Sequence, residues 1–117
     1  MTSEWKDESL LLDILIAANL AMEFCVGLSW EDFSKDRKSQ SAVVYQIQII
    51  GEAARQMSSQ TRQAQPDIDW MNIVGMRNRI VHDYSRIDFR VVWDIASNEL
   101  PLLVAQIKPL VPPDEDN

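Results

Sequence analysis

Apolar residues recur along this chain three or four apart, the step of a helix, in four successive stretches. In the first, Leu11, Leu12, Leu15, Ala18, Met22 and Cys25 keep that step while Asp13 and Glu23 turn outward, and Gly27 is placed to stop the helix. The stripe is wide, because Ile14, Ile16, Ala17 and Ala21 extend it. A helix buried on more than one side has this pattern, either at a bundle centre or on a face that also meets another subunit. Ser29-Trp30-Glu31-Asp32 has the form of a capping box, with Asp in the acidic place, and predicts a short helical turn carrying Trp30 and Phe33. A polar connection over 35–41 leads into a second long helix, with Val43, Val44, Ile47, Ile50, Ala54 and Met57 on its apolar side. Gly51 in its interior costs about 1 kcal/mol against alanine, which close approach of a neighbouring helix would offset.

Asp69 is a good N-cap for a third helix, with Trp70, Ile73, Val74, Ile80 and Val81 facing inward. Gly75 within it is again small, and is expected opposite Gly51. Asp88 caps a fourth helix from Phe89 onward, with Val92, Trp93, Ile95 and Ala96 inward. Pro101 should kink or break it near Leu100, after which Leu103, Val104, Ile107 and Leu110 continue the pattern. No run alternates with period two for long enough to suggest a sheet. The pattern therefore predicts an all-α fold, a four-to-five-helix up-and-down bundle forming one domain over 1–111, followed by an acidic tail at 112–117.

Composition narrows the function. A chain of 117 residues has room for one core. The net charge of −7 argues against binding nucleic-acid backbones over the whole surface, but leaves room for one focused cationic cleft. Such a patch exists in the sequence. Between Arg77 and Arg90 four arginines (with Arg79 and Arg86) face two acids, Asp83 and Asp88, whereas the rest of the chain holds 7 basic and 16 acidic residues. The single cysteine, Cys25, allows no internal disulfide and fits a reducing compartment. The acidic start is unlike a signal peptide, and Asp13, Asn19 and Glu23 interrupt the apolar stretch at 10–26, which argues against a membrane span. A cytoplasmic protein is expected.

The candidate chemistry lies in Arg77-Asn78-Arg79-Ile80-Val81-His82-Asp83-Tyr84, which holds the only histidine. On an unbroken helix Asn78 and His82 share a face, so the amide can orient the imidazole, and Arg77 aligns with Tyr84. Arg79 and Arg86 are the candidate RNA contacts. These groups suit phosphate chemistry: arginine offers a rigid donor fork, and histidine exchanges protons near neutral pH. In RNA a 2′-hydroxyl can attack its own phosphate if a base takes its proton, an acid protonates the leaving oxygen and a cation steadies the transition state. That scheme needs no metal and no cofactor. It needs two proton carriers, and a two-fold dimer would supply the second histidine. Blander readings of the same residues exist. A lone histidine at a helix C-terminus often serves the dipole, arginines beside acids are often solvated ion pairs, and Tyr84 alone would be an edge-of-core aromatic. Trp5, Trp30, Trp70 and Trp93 read as core or interface. No acids show metal-ligand spacing with His82, and Cys25 has no partner for nucleophilic work.

The sequence resembles the HepT-like HEPN ribonuclease toxins of prokaryotic toxin–antitoxin pairs. The resemblance runs through Leu12-Asp13-Ile14-Leu15, Gly27 to Phe33, Ile50-Gly51-Glu52-Ala53-Ala54, Pro66 to Trp70, Ile73 to Tyr84, Val92-Trp93-Asp94 and Leu100-Pro101. The family signature is Arg, four residues, His, one residue, Tyr, here Arg77, His82 and Tyr84, with Asn78 as the polar residue after the arginine. The resemblance implies a homodimeric helical bundle with two motifs facing across a cleft. It implies metal-independent endoribonuclease activity, with Arg77 and His82 catalytic and Asn78 supporting. It also implies a cognate minimal nucleotidyltransferase as antitoxin, transferring AMP to Tyr84. Two other expectations remain open from the residues alone: a non-catalytic module binding a nucleotide or the transferase, and a motif that serves assembly only.

Overall fold

The computed structural model describes the backbone of residues 3–83 and 86–113, and side-chain surroundings for residues 6–81 and 86–113. Two long helices, α1 (Ser3–Glu23) and α3 (Arg37–Gln56), lie along one another, and α8 (Leu100–Ile107) packs on α1. Their apolar faces build one core. Ile14, Ala18 and Ala21 of α1, Val43, Ile47, Ile50 and Ala54 of α3, and Leu100 and Ile107 of α8 are fully buried. Each large aliphatic side chain in such a place contributes about 1.5–3 kcal/mol by leaving water. The expected all-α fold is the one observed. The wide stripe of α1 divides: Leu10, Leu11, Ile14 and Ala17 go inward, while Leu12 and Ile16 remain 42% and 49% exposed.

Local chemistry sets the helix ends. Gly27 takes φ +80°, the left-handed conformation that only glycine adopts cheaply, beyond the turn that closes α1. Ser29 accepts from the Asp32 N–H and Asp32 from the Ser29 N–H, so the capping box opens α2 (Trp30–Lys35) as read. Phe33 is thereby driven into the core, and its carbonyl accepts from the buried Gln40 amide at 2.9 Å. After α3, Ser58 caps α4 (Ser59–Ala64). Here Asp7 of α1 is buried, accepting from the Ser58 backbone N–H at 3.1 Å, the Thr61 hydroxyl at 2.6 Å and the Ser58 hydroxyl.

The third helix departs from expectation. Asp69 caps it, but it runs only over α5 (Trp70–Val74), breaks at Gly75, and resumes as α6 (Met76–Ile80). The chain then forms a small antiparallel ladder, β1 (Val81–Asp83) with β2 (Arg86–Ile87), where no strand was expected. The reason is non-local. The Ile80 carbonyl, which a continuing helix would give to residue 84, accepts instead from the Asp88 N–H at 2.7 Å. Val81 and the polar residues after it are weak helix formers and offer little resistance. Val81 is 39% exposed rather than inward.

The two interior glycines do not face each other. A Cβ on Gly51 would meet the Ile73 and Val74 carbonyls at 3.5 and 3.7 Å, so α3 backs onto the end of α5. A Cβ on Gly75 would meet the Met71 carbonyl of its own turn at 3.3 Å. At the other end, Asp88 accepts from the Arg90 and Val91 N–H groups and opens α7 (Phe89–Asp94). The break expected near Leu100 is present in a mild form: α7 gives way to a π-turn, and α8 starts at Leu100 with Pro101 in its first turn. Lacking an N–H, Pro101 cannot serve the Ser97 carbonyl, and the preceding residues widen into a π-turn (Ile95–Glu99), with the Leu100 N–H reaching Ile95 O. A 3-10 turn (Lys108–Leu110) follows α8. The acidic end at 114–117 lies outside the described residues. No helix among those described is long and apolar enough to cross a membrane.

Candidate active site

Met76 and Ile80, one helical turn apart, are buried at 1% and 0% exposure and fix the rotation of α6. The three residues between them that carry chemistry, Arg77, Asn78 and Arg79, are therefore exposed. They do not go to the same place. Arg77 and Asn78 line a cavity of about 280 Å³ with Val74 and, across from them, Gln48, Gly51, Glu52 and Arg55 of α3. The close backbone approach at Gly51 is what brings that α3 face within reach. Glu52 and Arg55 form an ion pair there, with Arg55 Nη2 on Glu52 Oε1 at 2.5 Å and Nε on Oε2 at 3.2 Å. The pairing holds the Glu52 carboxyl below its ordinary range and raises Arg55, so both are charged at neutral pH.

Gln48, Glu52 and Arg55 are absent from the sequence reading as site residues. Their spacing puts them on one face of α3, but a polar helix face reads first as a solvated one. Only Gly51 among them signalled a close neighbour.

Arg79 is turned to the opposite side. Its Nη1 donates to Glu99 Oε1 at 2.8 Å and to Asn72 Oδ1 at 2.9 Å, and its Nη2 reaches Glu99 Oε2 at 2.6 Å. Asn72 Nδ2 donates to the same Glu99 Oε1 at 3.0 Å. The Arg79 hydrogen bond, aided by Asn72, pulls the Glu99 carboxyl down against the opposing effect of burial. Arg79 thereby ties α6 to the π-turn.

The relation of His82 to Asn78 is also not the helical one. Helix α6 ends at Ile80, so the two do not sit four apart on a shared helical face, and Arg77 and Tyr84 are not aligned by a continuing helix. Instead Val81 pairs with Ile87 and Asp83 with Arg86, two steps on one strand against one on the other. His82 is the extra residue of that bulge. Bulges bend a strand and re-aim a side chain, and they are frequent beside active sites. The His82 imidazole and the whole of Tyr84 lie outside the described residues.

Arg86 is exposed on β2 and lines a second recess with Trp30 and Arg90. Between α1 and α3 a third depression is lined by Leu10, Asp13, Gln48, Ile49 and Glu52, so it shares Gln48 and Glu52 with the Arg77 cavity. Cys25 is partly buried, and that burial pushes its thiol up, away from nucleophilic use. Among the described residues no three histidine, cysteine, aspartate or glutamate side chains cluster as metal ligands would.

Residues 14–110 match the family described as "Ribonuclease HepT-like". The "Probable ribonuclease HepT" of Thermococcus cleftensis is 34% identical over 100 residues, covering 86% of this chain and 91% of that protein. A protein of Caldanaerobacter subterraneus subsp. tengcongensis, named as a candidate RNase, is 33% identical over 98 residues, 84% of this chain and 88% of its own length. Another so named, from Methanocaldococcus jannaschii, is 31% identical over 101 residues, 86% of this chain and 93% of its own length. No solved structure matches the chain.

Proposed function

This chain belongs to the HepT-like ribonuclease family, and from that premise we propose that it is a metal-independent endoribonuclease toxin acting as a homodimer. The observation that carries the reading is the pairing of Arg77 and Asn78 in one cavity, with His82 on the bulge that follows their helix. In the proposed reaction one imidazole takes the proton of a 2′-hydroxyl, whose oxygen then bonds to the adjacent phosphorus. The bond from phosphorus to the 5′-oxygen breaks, and a second, protonated imidazole gives that oxygen its proton. The products are a 2′,3′-cyclic phosphate and a 5′-hydroxyl. The Arg77 guanidinium steadies the crowded, more negative phosphorus centre, and Asn78 holds the strand or the imidazole in place. Arg55, held by Glu52 in the same cavity, adds a second cation.

One chain has one histidine, so the two imidazoles come from two subunits. Half-exposed Leu12 and Ile16 on α1 offer apolar surface for such a contact. The depression between α1 and α3 shares Gln48 and Glu52 with the Arg77 cavity, so a partner seated there lies beside the catalytic groups.

Control follows from the same electrostatics. A cognate minimal nucleotidyltransferase serves as antitoxin by moving AMP from ATP onto Tyr84. The added phosphodiester places negative charge and bulk two residues from His82, where the RNA phosphate must sit. The test is cleavage of RNA in a chelator by wild type, Arg77→Ala and His82→Ala. The reading expects cutting by wild type and its loss in both variants with the fold intact. Undiminished cutting by His82→Ala ends it.

A further inference from the structure

Beside the hairpin, Trp30, Ser34, Arg86, Asp88, Phe89 and Arg90 line a shallow recess of about 450 Å³, within the size range of small-ligand sites. Behind Trp30 stands a cluster of tilted aromatic rings. Phe33 and Trp93 lie with ring centroids 5.2 Å apart, and Trp30 stands 6.4 Å from each. The Arg90 guanidinium lies 4.9 Å above the Trp30 ring, and Asp94 Oδ1 holds its Nε at 3.3 Å. Ring and carboxylate flank the guanidinium, while the Arg90 side chain stays 58% exposed. A flat, delocalised cation thus lies over an indole ring with much of its side chain open to solvent. The two acids nearby do not oppose an anionic strand freely, since Asp88 is engaged by the first N–H groups of α7 and Asp94 by Arg90.

We propose that this recess is a stacking subsite for one unpaired nucleobase of the RNA strand, flanking the cleaved linkage. The proposal rests on the ribonuclease reading above for the identity of the strand. An arginine plane held against an aromatic ring is a platform for a base, and an unpaired base can reach it whereas a paired one cannot. Position supports the assignment. Arg86, which lines the recess, is the ladder partner of Asp83, the residue after His82, so recess and bulge are neighbours across one pair of strands. The Ser34 hydroxyl, which donates to the Glu31 carbonyl at 2.7 Å, keeps oxygen lone pairs that can accept from the base edge.

The test is fluorescence anisotropy of a short single-stranded RNA, made uncleavable by 2′-O-methyl groups, with wild type, Arg90→Lys and Arg90→Gln. Lysine keeps the charge and loses the plane. Stacking predicts that Arg90→Lys binds about tenfold more weakly with an unchanged salt slope, and that Arg90→Gln lowers the slope as well. An abasic nucleotide at one position should abolish the difference between wild type and Arg90→Lys, and duplex RNA should show none. Equal affinity of Arg90→Lys and wild type, a difference that survives every abasic substitution, or Arg90-dependent binding of free AMP without binding of the strand, would each overturn the subsite. A cleavable version of the same strand separates the two claims. Cutting by wild type with no Arg90 effect removes the subsite alone, and Arg90-dependent binding without any cutting removes the ribonuclease reading alone.

Discussion

Arg79 and Glu99, 20 residues apart in sequence, are joined by two hydrogen bonds of 2.8 and 2.6 Å, one from each terminal guanidinium nitrogen to each carboxylate oxygen. This ties the helix bearing Arg77 and Asn78 to the π-turn that Pro101 imposes. The pair is only partly shielded, with Arg79 and Glu99 side chains 37% and 30% exposed, so solvent weakens it. Glu99→Gln should cost about 1–2 kcal/mol of stability, less than a fully buried charged hydrogen-bond pair, and should lower RNA cleavage by loosening α6. Chemical denaturation together with initial cleavage rates checks both effects.

The same carboxylate sets a pH dependence. The folded-state pKa of Glu99 is depressed, chiefly by the Arg79 hydrogen bond. The folded state therefore holds its proton less tightly than the unfolded chain, and the stabilisation is complete above the pKa of the unfolded chain. It is lost as pH falls through the lower folded-state value. Asp7 acts in the same direction: burial opposes ionisation, but the Ser58 and Thr61 hydrogen bonds prevail and lower its pKa. Thermal melts from pH 7 to pH 3 should show a steeper acid loss in wild type than in Glu99→Gln.

Removing the Asp7 carboxylate leaves the Ser58 N–H and two hydroxyls without their acceptor in a partly buried site. Asp7→Ala should destabilise the protein by about 2–4 kcal/mol, measurable as a shift of the denaturation midpoint. Because Asp7 lies outside the Arg77 cavity, the folded variant should keep its cleavage rate.

Gly51 separates two steric outcomes. A methyl group there stands at ordinary contact distance, 3.5 Å, from the Ile73 carbonyl, so Gly51→Ala should change stability by no more than about 1 kcal/mol in either direction. Gly51→Leu has no such room. It should drive α5 from α3, lower the melting temperature and open the Arg77 cavity, with cleavage falling more than stability alone accounts for.

Features set by local chemistry were legible in the sequence. Ser29, Asp69 and Asp88 cap the helices they were read to cap, because the side-chain oxygen and the N–H groups it serves lie within three residues of each other. Gly27 was legible as a turn residue, although α1 already ends at Glu23 and the glycine takes its positive φ in the turn beyond. What could not be read depends on distant partners. Helix α6 ends where it does because Asp88, eight residues on, takes the Ile80 carbonyl, and this converts the expected Asn78–His82 helical pair into a helix followed by a bulge. The commitment of Arg79 required the π-turn to deliver Glu99. Gln48, Glu52 and Arg55 line the Arg77 cavity only because α3 packs on the end of α5.

The proposed modification gives a mass prediction. With the cognate nucleotidyltransferase and ATP, intact mass should rise by one or more AMP units in wild type and not in Tyr84→Phe, and cleavage should fall in step. An unchanged wild-type mass would remove AMP transfer from the account and leave the nuclease chemistry standing.

Exchange of subunits between wild type and excess His82→Ala protein, followed by RNA cleavage in chelator, tests the shared cleft most directly. If each site draws an imidazole from both subunits, activity should fall as the square of the wild-type fraction, because only wild-type pairs can cut. A fall in simple proportion to that fraction would show that one subunit carries a complete site, and would contradict the two-subunit mechanism.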